Sequence, residues 1–539
     1  MLVKKLKITI KNKKILNNIS FSLNDGDKIG LVGINGSGKS TLLKALSNDI
    51  PIDSGSVKLN EQSIGYLKQE IISEYNEYSI IEYIKKEVGI DKLESKLHDL
   101  ENNLTEENME EYGNILNDFL AIDGYNFEDN LKMIISGLKI NESLDSKIKI
   151  LSGGEKIKVL LATLLIQNND ILLLDEPTNN LDIEAIEWLE NYLKNSNKKM
   201  IIVSHDETFL ENITNKIFEL DNGSLTEYNM KYSDYLIEKE NEYNKQFEEY
   251  TKAKEQKERL KKQINKAKEW SNKGTNKKAH NDNDKIANNF AKERTNSSNI
   301  SKLTRTLENL EVPDFEEKKP INFFFNFDND KGKKDIILKD LECGYDTFKT
   351  PIINLSIPFG TKVMISGKNG SGKTTLIKTL LNEISPLSGN IIIGSDAKIG
   401  YISQDTLNNI DNNHTILSYL TDNKVDIDLS LVFILLDKFN ISYDDKDKKY
   451  SSLSPGERTR VNLIKIALDK INILILDEIT NHLDKEAIDL IYELVTQYDG
   501  TIISISHNRK FNEILDADVD INIENGMIEY LDKQKRKTL

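Results

Sequence analysis

Residues Gly33, Ile34, Asn35, Gly36, Ser37, Gly38, Lys39, Ser40 and Thr41 carry the spacing G-x-x-x-x-G-K-[ST]. Glycines at these positions let backbone N–H groups turn inward around phosphate oxygens. The loop follows KIGLVG, which reads as a buried strand, and precedes TLLKAL, which reads as a helix. The positive end of that helix adds to the attraction for an anion. Lys39 would reach the β- and γ-phosphates, and Ser40 would ligate Mg²⁺. Gly367, Asn369, Gly370, Ser371, Gly372, Lys373, Thr374 and Thr375 repeat the arrangement. A single glycine turn of this kind can arise by chance. Two in the same strand–helix context point to a nucleotide carrying β- and γ-phosphates, with Mg²⁺.

Acidic pairs recur in both copies. Leu172-Leu173-Leu174-Asp175-Glu176 reads as a buried strand ending in an acidic pair, and Asp477-Glu478 repeats it. Asp175 and Asp477 would hold the Mg²⁺ shell, while Glu176 and Glu478 would orient the attacking water. Ser152 lies 23 residues before Asp175, and Ser454 lies 23 before Asp477. His205 and His507 each lie 29 residues after their glutamates, where an imidazole could touch a γ-phosphate. Gln69 and Gln404 lie 30 and 31 residues after the loop lysines, where a neutral amide could ligate Mg²⁺. Each residue alone would read as a strand end or a structural side chain. Recurrence favours the chemical reading.

The elements that must position these groups come in two copies. LSGGE at Leu151–Glu155 returns as LSPGE at Leu453–Glu457, and LLLDEPTNNLD returns as LILDEITNHLD. The fold class is α/β: two phosphate-loop domains joined by a long α-helical hairpin. The first domain spans 1–231, the linker 232–315 and the second domain 316–530, with a short basic tail at 531–539. Lys39 to Lys373 is 334 residues, whereas Ser152 to Ser454, Asp175 to Asp477 and His205 to His507 are each 302. The first copy therefore holds an insertion before its LSGGE, placed at about 91–121 and read as one or two surface helices. The linker has apolar residues Tyr243, Phe247, Tyr250, Leu260 and Ile264 at three- and four-residue steps within a long stretch free of Pro and Gly. That spacing predicts one long amphipathic helix, broken at SNKGTN around Gly274, and a second helix over 285–311.

Composition narrows the class. The chain has 539 residues, a formal charge of −16 and one cysteine. A disulfide framework and a cysteine-rich metal site are excluded. No apolar run approaches a membrane span, so a cytoplasmic protein without membrane contact is expected. Charge is uneven: residues 251–280 hold eleven Lys/Arg against three Asp/Glu. Cations there would track a phosphate backbone, and Trp270 and His280 could stack on unpaired bases.

Taken together, the phosphate loop, the glutamine, LSGGE, the Asp-Glu strand, the NNLD and NHLD turns and the histidine resemble the ATP-binding cassette superfamily. Two cassettes, no membrane segment and a helical linker between them resemble its ABC-F branch. The resemblance implies ATP hydrolysis by domains closing head to tail, so that one chain works as a monomeric pseudo-dimer. One ATP would lie between Lys39 and Ser454–Gly456, the other between Lys373 and Ser152, Gly153 and Gly154. Tyr345 would stack on adenine in the second domain, whereas KITIKNKKIL offers the first no aromatic. Pro455 replaces a signature glycine and Ile479 replaces the proline after Asp-Glu. The resemblance also implies a bacterial 70S ribosome as partner, with rRNA, and tRNA near the exit site. Lys262, Lys266, Lys268, Trp270, Lys273, Lys277, Lys278 and His280 would touch RNA, with the linker directed toward the peptidyl-transferase centre. Within that branch, protection of the ribosome from antibiotics is the expected role. The alternatives are a housekeeping translation factor, a transporter motor and a DNA-repair ATPase.

Overall fold

The computed structural model describes residues 1–275, 298–315, 334–403, 414–421 and 429–530, apart from 11, 12, 35, 68–74, 106, 107, 299, 314, 346, 347, 369, 440, 470, 481, 482, 484, 525 and 526. Met1–Tyr232 and Ile321–Leu539 form one compact unit, and Ser233–Pro320 forms another.

The larger unit contains the two repeats. In the first, a six-stranded sheet runs in the order Ile64–Tyr66, Ile171–Asp175, Lys199–Val203, Lys28–Val32, Lys216–Asp221, Ser224–Tyr228. Its neighbours pair in parallel except the last two strands. The second repeat copies this order with Ile399–Ser403, Ile473–Asp477, Thr501–Ile505, Lys362–Ser366, Val519–Asn522 and Met527–Tyr530. Every residue of Ile171–Asp175 and of Ile473–Asp477 is buried. Parallel strands covered on both faces need such continuous apolar runs, which explains ILLLD and ILILD. Carboxyl ends of the central strands deliver the acidic pairs to one edge of each sheet. A three-stranded antiparallel sheet accompanies each repeat, formed in the first by Leu2–Ile10, Lys13–Ser22 and Ser54–Lys58.

The inserted segment of the first repeat forms two helices, Ile90–Asn102 and Met109–Ala121. Beyond it, helix Phe127–Gly137 meets helix Ile183–Asn195 at Gly137. A Cβ on Gly137 would lie 2.0 Å from Cε2 of Trp188, whose ring stacks on Tyr192 with centroids 5.3 Å apart. That contact fixes the helices before the LSGGE segment against the core.

The smaller unit is built on a 44-residue helix, Tyr232–Thr275. At 1.5 Å per residue it extends on the order of 66 Å. The helix includes Gly274, and its described part ends at Thr275, within the stretch where the break is expected. A glycine costs a helix only about 1 kcal/mol, which the flanking residues offset. Phe315 packs against Tyr243, Phe247 and Tyr250, with centroids 5.1, 5.6 and 5.3 Å away. The chain thus returns beside the first half of the helix, with helical residues at 298 and 300–308. The rest of the expected second helix, before 298, lies outside the described residues.

Replacing Gly137 with Ala should destabilise the protein by about 1–3 kcal/mol, because the Trp188 ring must leave its stack. Denaturant unfolding measures this, and an unchanged midpoint would show that the ring yields freely.

Candidate nucleotide-binding site

Both glycine loops have the same geometry. Gly36 and Gly38 adopt φ of 81° and 105°, and Gly370 and Gly372 adopt 80° and 98°. Non-glycine residues rarely enter this region. Gly38 is also crowded: a Cβ would lie 2.7 Å from Ile15 Cγ2. Lys39 Nζ donates to the carbonyls of Gly33 at 2.6 Å and Ile34 at 3.2 Å. Lys373 Nζ donates to those of Gly367 at 2.7 Å and Lys368 at 3.0 Å. Each ammonium is thereby folded onto its own loop, and burial lowers the Lys373 pKa. Helices Lys39–Leu46 and Lys373–Leu380 begin at these lysines.

Glu176 and Glu478 sit at φ of 52° and 51°, left-handed for non-glycine residues. Such strain costs on the order of 1–3 kcal/mol and gathers at functional sites. The backbone is pinned there, since Glu176 N–H donates to Val203 O at 2.8 Å and Glu478 N–H to Ile505 O at 2.9 Å. Ile479 in place of proline leaves the φ of the preceding glutamate unchanged. His205 Nε2 lies 3.4 Å from Glu176 Oε1, and His507 Nε2 lies 3.6 Å from Glu478 Oε1. Burial, then nearby Lys373, pushes the His507 pKa down to about 4. The ring is neutral at pH 7, so the second pair is a polar contact, not an ion pair.

Ser152 and Ser454 are the N-caps of helices Gly153–Ile166 and Pro455–Asp469. Ser152 N–H and Oγ–H donate to Glu155 Oε2 at 2.8 and 2.7 Å, and Glu155 N–H donates back to Ser152 Oγ at 3.3 Å. Ser454 and Glu457 reproduce the box at 2.8, 2.9 and 3.3 Å. The glutamate of LSGGE is therefore a capping residue, legible in the sequence as S-x-x-E. Pro455 begins its helix, a position that needs no N–H.

A cavity of about 660 Å³ brings the repeats together. Gly370, Gly372, Lys373, Thr374, Thr375, Glu478 and His507 face Ser152 and Gly154 across it. Tyr345 and Phe348 line it as well, together with Lys139 and Asn141. Phe348, whose ring edge would meet a Cβ on Gly372 at 2.7 Å, is an aromatic the sequence reading passed over. The first loop has a separate cavity of about 310 Å³, lined by Ile15, Gly36, Gly38, Lys39, Ser40, Thr41, Asp175, Glu176, Val203 and His205. Among the described residues that lining comes from the first repeat alone, without Ser454 or Gly456. Ile15 stands beside Gly38 where Phe348 stands beside Gly372. Gly33, Ser37, Gly153, Gly367 and Ser371 complete the loops and the signature turn. Asn35, Asn369, Gln69 and Gln404 lie outside the described residues.

The donor set fits Mg²⁺ brought in with phosphates. Asp175 Oδ2 and the hydroxyls of Ser37 and Ser371 are buried with no hydrogen-bond partner among the described residues. Asp477 accepts from Tyr401 Oη at 3.3 Å and is held above the usual carboxylate range by burial. Glu478 is raised by burial and by Asp477 beside it. A cation next to Asp477 and Thr374, or Asp175 and Ser40, would relieve that cost. No cluster of three or more His, Cys, Asp or Glu side chains suits a metal among the described residues. Mg²⁺ would then rest on one carboxylate, one hydroxyl and the nucleotide, the arrangement it favours. Bound there, it would neutralise charge on the β- and γ-phosphate oxygens. A Glu478 carboxyl with a raised pKa is the stronger base toward water, and His507 can hold the same water or the γ-phosphate.

Comparison with known proteins gives the class. A family profile described as ABC transporter matches residues 16–179 and 351–481, and a second with the same description matches 218–323. The uncharacterized ABC transporter ATP-binding protein YfmM of Bacillus subtilis is 32% identical over 527 residues, covering 94% of this chain and 95% of that protein. ABC transporter F family member 5 of Arabidopsis thaliana is 30% identical over 540 residues, covering 96% and 74%. An archaeal ribosome recycling factor, aABCE1, solved with the stalk protein aP1, shares the fold with a TM-score of 0.58 at 18% identity, covering 97% and 89%. The chain belongs to the ABC transporter family, as a tandem-cassette ATPase of its F branch. Among the described residues no helix is long and apolar enough to cross a membrane.

Stability should follow the His507 proton. The folded ring binds it only near pH 4, whereas the unfolded ring binds it near 6.5. Stability from this group is complete above pH 6.5 and is lost as pH falls toward 4, amounting to about 2 kcal/mol at pH 5. Thermal unfolding at pH 7.5 and 5.0 should show a smaller loss for His507→Gln than for the parent; equal losses would contradict the assignment.

Proposed function

We propose that this ATPase is a cytoplasmic ribosome-binding factor that protects translation from antibiotics. ATP, with Mg²⁺, closes the cassettes and favours a tight complex with the bacterial 70S ribosome. The linker then contacts rRNA and runs toward the peptidyl-transferase centre, next to tRNA near the exit site. Hydrolysis, with Glu176 and Glu478 orienting water, reopens the cassettes and releases the protein. ATP acts through its differential affinity for the closed state.

The observation that carries this reading is the linker helix. Lys262, Lys266 and Lys268 are exposed on it, in a chain whose formal charge is −16. A helix whose second half is cationic, on an acidic protein, suits a phosphate backbone and disfavours indiscriminate contacts. Of Trp270 and Lys273 only the helical backbone is described; Lys277, Lys278 and His280 lie outside the described residues. A similarly folded structure is a model of ribosome-bound archaeal Pelota and ABCE1, with a TM-score of 0.54 at 17% identity. It supplies a precedent for the fold beside a ribosome.

The double variant Glu176→Gln, Glu478→Gln should co-sediment with 70S particles in ATP and not in ADP. Adding Lys262→Glu, Lys266→Glu and Lys268→Glu should weaken binding and flatten its salt dependence. A glutamine variant that stays in the supernatant with ATP would overturn the reading. Expression in a susceptible host separates the two ribosomal roles: unchanged inhibitory concentrations would assign a housekeeping factor instead.

A further inference from the structure

Among the described residues, six charged side chains join the cassettes. Glu190, Asp206 and Glu207 belong to the first, and Lys485, Arg509 and Lys510 to the second. Arg509 Nη1 lies 3.3 Å from Glu190 Oε2, and its Nη2 hydrogen-bonds Glu190 Oε1 and lies 3.6 Å from Asp206 Oδ2. Lys510 Nζ donates to Glu207 Oε2 at 2.5 Å, and Lys485 pairs with Glu207 Oε1. The acidic side chains are only 9–13% exposed. Charges this far from water persist only when paired.

The repeat shows why these signs matter. Asp206, Glu207 and Glu190 correspond, 302 residues on, to Asn508, Arg509 and Tyr492. At an interface between two identical copies, residues near the symmetry axis meet their own counterparts. Equal charges would then oppose each other. Here Glu207 corresponds to a basic residue, Arg509, while Asp206 and Glu190 correspond to neutral Asn508 and Tyr492, so the two surfaces differ in charge and like charges are not repeated across the contact.

Position turns this contact into a link between the sites. Asp206 directly follows His205, whose backbone N–H donates to Glu176 Oε2 at 3.2 Å. Asp206 Oδ1 caps helix Glu207–Ile213 by accepting from Phe209 N–H at 3.0 Å, leaving Oδ2 toward Arg509. On the other side, Arg509 follows His507 and Asn508, and Asn508 caps helix Arg509–Leu515 by accepting from Phe511 N–H at 2.8 Å. One guanidinium therefore spans from the second histidine segment to the first.

We propose that Arg509 is a positioning residue for the first ATP site: its cross-cassette pairing with Glu190 and Asp206 holds the His205 segment against Glu176, so turnover there depends on the second cassette. This rests on reading Glu176 as the water-orienting group, and not on the ribosomal partner. Arg509 touches no substrate and acts through Asp206 and His205.

The test uses the full chain carrying Glu478→Gln, so that the first site alone turns over. Adding Glu176→Gln must abolish hydrolysis; if it does not, the reading of Glu176 fails and not that of Arg509. On the Glu478→Gln background, Arg509→Met should lower kcat about ten-fold with little change in KM for ATP. Glu190→Gln should lower it too, and the two together should lose much less than the product of the single losses. Arg509→Lys should recover part of the rate, and it replaces Arg509→Met in the cycle if the latter does not fold. Independent effects on kcat, or a fall in unfolding temperature with kcat intact, would overturn the proposal and leave the cluster a structural contact.

Discussion

An ammonium buried against its own loop is the interaction on which the rest depends. Lys39 and Lys373 are 8% and 6% exposed, and each is held by two carbonyl oxygens. A carbonyl pair compensates a buried charge less well than a phosphate does. The loop glycines permit the turn that aims N–H groups at the same point; a parallel strand anchors one end of it and the following helix the other. Strand ends then bring Asp175 and Asp477 to the same edge as the lysines. The architecture is arranged around one small volume of concentrated charge in each cassette.

The two cassettes do not finish that volume in the same way. Over the second loop, Tyr345 and Phe348 provide aromatic surface, and the capped turn at Ser152 closes the opposite wall. Over the first loop, Ile15 replaces the aromatic and the wall comes from the first cassette. The signature helices begin alike, with Gly153 in one and Pro455 in the other. The proline keeps the helix and removes an N–H from the turn. Near-equal φ at Glu176 and Glu478 shows that this acidic edge is preserved while its surroundings diverge.

Much of this was legible in the sequence, because the chain states it twice. Glycine spacing, buried runs such as ILLLD and the acidic pair recur with fixed intervals, and periodicity marked the linker helix. What escaped depends on chain-distant geometry. The left-handed glutamates carry no sequence signature, since any residue type can be forced there by its neighbours. Phe348 lies in plain view three residues after Tyr345, but only the fold puts it beside Gly372. The opposed charges at Glu207 and Arg509 were readable by aligning the repeats, yet their meaning needs the cassettes face to face. Gly274 stands one residue before the last described residue of the linker helix, inside the SNKGTN stretch read as its end.

The central claim is that ATP on the Lys373 loop is held by both cassettes. It is tested most directly with Lys39→Ala, which confines nucleotide to the second loop, by measuring equilibrium binding of ATP. Placing an arginine at Ser152 in that background should fill the wall opposite Lys373 and abolish ATP capture, whereas the same change at Ser454 should leave it intact. Undiminished binding with Ser152→Arg would contradict the account.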